Sequence, residues 1–192
     1  MKKILILSLV TSLGFISPSF ALEKRGSIDK VINMVQIDHN NSRNWSKAEK
    51  NESVFVGDNI RTGLRSVAQI NYDDGTSTRI GSRSFITVND RKIKIKRGYM
   101  WGKVDKNKTK GLKLFTSNAV ASILGTEFFI EKSGNTTSLV VLEGEIEFKS
   151  LKGNVKVTEG TFSTIDDKGI ITDPIPFDKD TVLKRYAELL ID

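Results

Sequence analysis

Residues 119–148 read AVASILGTEFFIEKSGNTTSLVVLEGEIEF, and this stretch decides the fold. Its apolar runs are short and cut by turn residues. Val120 to Leu124 stops at Gly125-Thr126, and Phe128-Phe129-Ile130 follows. Ser133-Gly134-Asn135 reverses the chain into Leu139-Val140-Val141-Leu142, and Glu143-Gly144 interrupts it again. β-Branched and aromatic runs between glycine-bearing turns are the pattern of adjacent antiparallel strands. The unbroken apolar runs predict strands covered on both faces. Ile146 and Phe148, alternating with Glu145, Glu147 and Lys149, predict a strand with one wet face.

The same punctuation continues on either side. Gly26 to Ile37 reads as one strand or a pair, and Asp38 to Asn44 as a polar turn ahead of Trp45. Val54-Phe55-Val56 leads into a glycine-bounded unit ending at Gly63. Ser66 to Tyr72 alternates cleanly, and Asp73-Asp74-Gly75 joins it to Thr76–Ile80 as a hairpin, since glycine accepts the positive φ of such a turn. Phe85 to Val88 follows. Lys92 to Lys96 alternates strictly, with Ile93 and Ile95 inward and three lysines outward. Gly98 opens the group Tyr99-Met100-Trp101, and Lys103 to Lys113 reads as a basic loop. Downstream, Val155–Val157 and Thr161–Ile165 read as further strands. Asp173-Pro174-Ile175-Pro176 is an extended connector because each proline disfavours helix in the residue before it. From Asp178 to Ile191 the period becomes helical: Val182, Leu183, Tyr186, Leu189 and Leu190 form one stripe, Asp178 or Asp180 is the cap, and Lys184 and Glu188 sit four apart. The expected fold is all-β, many short strands in a sandwich or stacked β-roll, with one C-terminal amphipathic helix.

The 192 residues suffice for one domain with a real core. Residues 1–21 read as a signal peptide: Lys2 and Lys3, an apolar centre from Ile4 to Ile16, and Ser19-Phe20-Ala21 as a cleavage pattern. The apolar centre is too short for a stable span. The β domain is expected over 22–172, and the connector and helix over 173–192. With 30 basic and 23 acidic side chains, loss of Lys2 and Lys3 leaves 28 − 23, a net charge of +5. The mature chain is expected to be periplasmic or secreted, without a stable membrane span after signal cleavage. Its charge is modest for a nucleic-acid partner.

Few residues suit covalent chemistry. There is no cysteine and one histidine, His39, among asparagines in an expected loop. No glycine-flanked serine at a strand-to-helix elbow accompanies it, and a zinc site is poorly supplied. Two carboxylates at suitable separation hydrolyse glycosides, but Asp73 and Asp74 precede a hairpin glycine, and Glu145 and Glu147 lie on a wet strand face. The Asp73-Asp74-Gly75 spacing is not that of a calcium loop. The expectation is a protein that is not an enzyme and needs no cofactor or metal, an envelope glycan hydrolase being the remote alternative. The binding candidates are Lys92, Lys94, Lys96, Tyr99, Trp101 and Lys103, a basic and aromatic segment suited to an acidic protein patch or an anionic envelope polymer. The bland alternative is a solvated face whose lysines blunt edge-to-edge pairing.

Taken in order, these pieces resemble the FecR domain family. The matching elements are Val56-Gly57-Asp58, Ile60-Arg61-Thr62-Gly63, Ser66, Ala68, Asp74-Gly75-Thr76, Ile80 with Ser84, Gly98, Thr116 with Ala119, Gly125-Thr126-Glu127-Phe128 and Leu142-Glu143-Gly144. They run through residues 26–148. Leu124 departs from the pattern, since family members often carry arginine there. The resemblance implies an all-β, non-enzymatic periplasmic domain with a sensing or protein-contact role, its partner another envelope protein. In the regulators that name the family, a sigma-factor-binding region and a transmembrane helix precede this domain. Here Met1 to Ala21 reads as an export signal instead, so direct sigma-factor control is not expected.

Overall fold

The structure, a computed structural model, describes residues 23–107 and 111–190. The expected signal peptide, residues 1–21, lies outside the described residues, as does the centre of the basic loop with Lys108 and Lys110. The strands are β1 (Lys24–Ile32), β2 (Val35–Asp38), β3 (Ser46–Lys47), β4 (Ser53–Phe55), β5 (Asn59–Thr62), β6 (Val67–Tyr72), β7 (Ser77–Ile80), β8 (Phe85–Asn89) and β9 (Lys92–Lys103). They continue as β10 (Leu112–Phe115), β11 (Val120–Ile123), β12 (Glu127–Ser133), β13 (Thr136–Glu143), β14 (Glu145–Lys149), β15 (Asn154–Thr158), β16 (Thr161–Ile165) and β17 (Ile175–Pro176), followed by helix α1 (Lys179–Arg185).

These strands form one hydrogen-bonded network that folds over in β9 into two stacked layers. Sheet I runs β3-β2-β5-β8-β9-β10-β11-β14-β15. Sheet II runs β4-β1-β6-β7-β9-β12-β13-β16-β17. All pairs are antiparallel except β9 with β10. Short strands and hairpins pass alternately from one layer to the other, so the fold is a sandwich built by stacking, and both expected descriptions apply.

The crossing is made inside β9. Residues 92–97 pair in sheet I and 98–103 in sheet II. A bulge opposite Phe85 adds a residue just before Gly98, the local device that bends a strand. Gly98 then adopts φ +89°, and a Cβ there would sit 2.1 Å from Ser84 Oγ, so only glycine lets β8 and β9 close on each other. Gly102 has a similar role: a Cβ would lie 2.4 Å from Phe128 Cζ, the ring that fills the space beneath it.

The main core lies between the layers and includes Ile60, Ile86, Ile93, Ile95, Phe148 and Ile146 from sheet I, and Ile28, Ile70, Ile80, Met100, Phe128 and Ile130 from sheet II. A second cluster covers the outer side of sheet II, where Val67, Phe129 and Val140 meet Val182, Tyr186 and Leu189 of the C-terminal segment. The runs Phe128-Phe129-Ile130 and Leu139-Val140-Val141 are therefore covered on both faces, whereas β14 buries Ile146 and Phe148 and exposes Glu145 and Glu147.

The C-terminal helix is shorter than its stripe predicts. Asp178 caps it by accepting from Thr181 N at 2.8 Å. It ends at Tyr186, and a 3-10 turn, Ala187–Leu189, follows. Nor do Lys184 and Glu188 pair across a turn: Glu188 reaches sheet II instead, accepting from Ser82 N at 2.6 Å and Ser82 Oγ at 2.9 Å. Tertiary bonds outweigh helix propensity here.

Candidate functional site

Gly98 divides the six candidate residues between the two outsides of the sandwich. Because Ile93 and Ile95 point inward from sheet I, Lys92, Lys94 and Lys96 stand exposed on its outer face. Met100 points inward from sheet II, which turns Tyr99 and Trp101 to the opposite outside, against the C-terminal segment. The aromatic pair thus does not lie beside the lysine row, as the sequence suggested. Trp101 Nε1 donates to Glu127 Oε1 at 3.0 Å, and Lys103 Nζ to Glu127 Oε2 at 3.0 Å. That hydrogen bond and charge hold Lys103 above the usual lysine range. The Tyr99 hydroxyl donates to Glu188; burial first, then that carboxylate, push it up to about 12.

The face of sheet I gains other members that the sequence did not flag. Strand register sets Lys113 beside Lys92, Phe115 beside Lys94, and Phe85 beside Arg97. Arg61 lies opposite Phe85 on β5, and Lys47 opposite Gln36 on β2. Trp45, from the loop before β3, packs edge-on against Phe85 with ring centres 5.7 Å apart. The Arg61 guanidinium lies 4.1 Å from the Trp45 ring centre and donates through Nε to Gln36 Oε1 at 2.9 Å. Lys96 Nζ sits 4.0 Å from the Phe85 ring centre. Each aromatic thus steadies one cation, an attraction of about 0.5–1 kcal/mol at exposed sites. The alternation of Ile86 and Val88 was the available signal for Phe85 and Thr87 facing out; nothing local paired Trp45 with Arg61.

Among the described residues, Lys47, Arg61, Lys92, Lys94, Lys96, Arg97 and Lys113 make no ion pair. Glu145 and Glu147 share the face but stand on β14, three strands from β9, about 14 Å away at ~4.8 Å per strand. They pair with Lys156 at 3.0 Å and Lys149 at 2.8 Å. A Debye length of about 8 Å screens them from the lysine row. The three lysines repeat every ~6.8 Å, two residues of extended strand. Such a surface attracts and orients carboxylate, sulfate or phosphate groups without reacting with them. At its edge a cleft of about 650 Å³ opens among Asp90, Arg91, Lys92, Lys113 and Leu124. Leu124, the departure from the family pattern, is 59% exposed there.

His39 is not a free loop residue. It sits in a 3-10 turn after β2, with Nδ1 2.9 Å from Asp58 Oδ2 and Nε2 3.2 Å from Glu52 Oε1. Asp58 is buried and also accepts from Asn40 N at 3.0 Å and Phe55 N at 2.8 Å. Partial burial pushes the imidazole down, but the hydrogen bonds and charges of Asp58 and then Glu52 outweigh it and raise His39 above its ordinary value. Both ring nitrogens face carboxylates, which leaves neither for a nucleophile. Asp74, the other acid of note, accepts from Thr76 N at 3.0 Å and so shapes the β6–β7 turn.

No helix among the described residues is long and apolar enough to cross a membrane. No curated protein matches the chain. Its fold is similar to that of a candidate anti-sigma factor from Parabacteroides distasonis in two crystal structures, at 1.65 Å and 2.50 Å resolution. TM-scores are 0.56 and 0.57 at 15% identity, over 65% and 67% of this chain and 62% and 64% of that one. The chain therefore spans just under two thirds of that protein's length, and the likeness is one of fold. The family model for FecR protein matches residues 58–147, the span that holds the Gly98 crossing, the lysine row and the two-sided strands β12 and β13. Residues 58–147, just under half of this chain, are therefore similar to a FecR domain.

Proposed function

We propose that this is an exported FecR-domain protein of the bacterial envelope that works by non-covalent contact, and that the outer face of sheet I is its contact surface for an acidic partner protein. The observation that carries this reading is the run of cations on that face without carboxylate partners, two of them steadied by Phe85 and Trp45. The sheet fixes the backbone positions from which these lysines project, and their field accelerates encounter. A regulatory role is supported by the FecR-like region and by the fold shared with a candidate anti-sigma factor. The export signal read in Met1–Ala21 supports the envelope location.

A photo-reactive crosslinker, which needs no amine, applied to cells carrying the exported protein tests the proposal. Recovery of one acidic envelope protein, lost when Lys92, Lys94 and Lys96 are changed to glutamate, is the expected result. Recovery of glycan or phosphodiester polymer alone transfers the same face to an anionic polymer. Capture that the charge reversal leaves unchanged removes the face from the account.

A further inference from the structure

The outer face of sheet II is a built site with an occupant already in it. Its floor is Tyr99 and Trp101 of β9, Phe129 of β12 and Val140 of β13, all within the FecR-like region. Its cover, Phe177 to Leu190, follows that region in the chain. Three contacts define what the floor selects. Tyr186 stacks on Phe129, with centres 4.4 Å apart and planes 12° from parallel, and its hydroxyl donates to Glu131 Oε2 at 3.0 Å. Glu188 receives Ser82 N, Ser82 Oγ and the Tyr99 hydroxyl. Arg79 Nη1 donates to the Leu189 carbonyl at 2.9 Å.

The attachment buries few side chains, and an exposed Arg185 adds an ion pair to Glu131 at 2.9 Å. Only Val182, Tyr186 and Leu189 of the segment are buried. Clefts of about 400 Å³ and 420 Å³ remain on either side, the first bordered by Val140, Phe162 and Val182, the second by Leu142, Leu183 and Leu190. A seven-residue helix does not persist by itself in water, so α1 exists only while docked. It is joined to the sandwich through the two-residue β17 and a connector holding Pro174 and Pro176.

We propose that the outer face of sheet II is a docking groove for a short amphipathic segment, occupied here by the chain's own C-terminal segment as a removable plug. The partner that displaces it presents the same chemistry: an aromatic ring for Phe129, an acid two residues later for Ser82 and Tyr99, then a leucine. The floor is suited to that order because it offers a flat ring, a converging set of donors and an arginine in sequence. The tethered plug has an effective concentration in the millimolar range, so a competitor must bind more tightly than the plug or meet it weakened.

The test uses the full chain and a fluorescent peptide of residues 177–192. Wild-type protein binds the peptide weakly because the plug competes. A full-length Y186A/E188Q variant binds it about tenfold more tightly or better, and a peptide carrying E188K loses that gain. A folded variant that takes up no more peptide than wild type overturns the proposal. If the variant does not fold, hydrogen exchange of wild type decides. Amides of 182–190 opening well before those of β12 and β13 support a removable plug, and opening of both together contradicts it.

Discussion

The two outsides of this sandwich are built from one strand, and they differ in almost everything else. Where β9 runs in sheet I, its outward residues are Lys92, Lys94 and Lys96, and nothing in the described chain covers them. Where it runs in sheet II, its outward residues are Tyr99 and Trp101, and the C-terminal segment lies over them. Both halves bury isoleucine or methionine inward, so the core does not distinguish them. Outward chemistry does. An apolar outer face gains from being covered, and the chain supplies its own cover; a lysine face resists cover by any neutral or basic segment and stays available for an acidic one.

The contrast predicts a graded series of effects. Phe129→Ala removes a fully buried ring between sheet II and Tyr186 and lowers unfolding stability by about 3–5 kcal/mol. Phe85→Ala, on the half-buried basic face, costs only about 1 kcal/mol, and chemical denaturation of the two variants compares them directly. Gly98→Ala strikes the junction of both faces: the positive φ and the contact with Ser84 cost about 2–3 kcal/mol, with fresh exchange of amides in both β8 and β12. Reversing Lys92, Lys94 and Lys96 to glutamate leaves stability within about 0.5 kcal/mol while abolishing salt-sensitive binding of acidic ligands. A loss of stability as large as that of Phe129→Ala would make the row structural.

The smallest effect is that of His39, remote from the covered face. Its raised value in the folded state means that protonation favours folding. The contribution is complete below the unfolded value of about 6.5 and is lost as pH rises through the folded value. Melting temperature should therefore fall more in wild type than in His39→Gln as pH rises above about 6.5. Parallel profiles would show that Asp58 and Glu52 hold the imidazole without preferring its charged form.

Much of the architecture was legible in the residues. The unbroken run Phe128-Phe129-Ile130 announced a strand covered twice, and the alternation through Glu145 and Glu147 a strand with a wet face. The parity of Lys92, Lys94 and Lys96 placed them outward, and Asp74-Gly75 marked a real hairpin. The consequence of Gly98 was not legible, because the apolar residues on each side suit either layer. Only the strand pairing shows that β9 changes sheets there, parting Tyr99 and Trp101 from the lysines. The cations' aromatic supports were hidden for a similar reason. Trp45, Arg61 and Phe85 come from separate strands and loops, and only register brings them together. The helix was overextended because its stripe continues to Leu190, while Glu188 forms its bonds to Ser82 and Tyr99 from a 3-10 turn that no periodicity encodes.

The central claim, that the outer face of sheet I meets an acidic partner protein, is tested most directly by lysine footprinting of the protein in its own cells against the purified chain. The account predicts that Lys92, Lys94, Lys96 and Lys113 react less in cells, while Lys24, Lys30 and Lys168 react equally in both. Equal reactivity of the four in cells and in isolation, or protection confined to the lysines of sheet II, would contradict it.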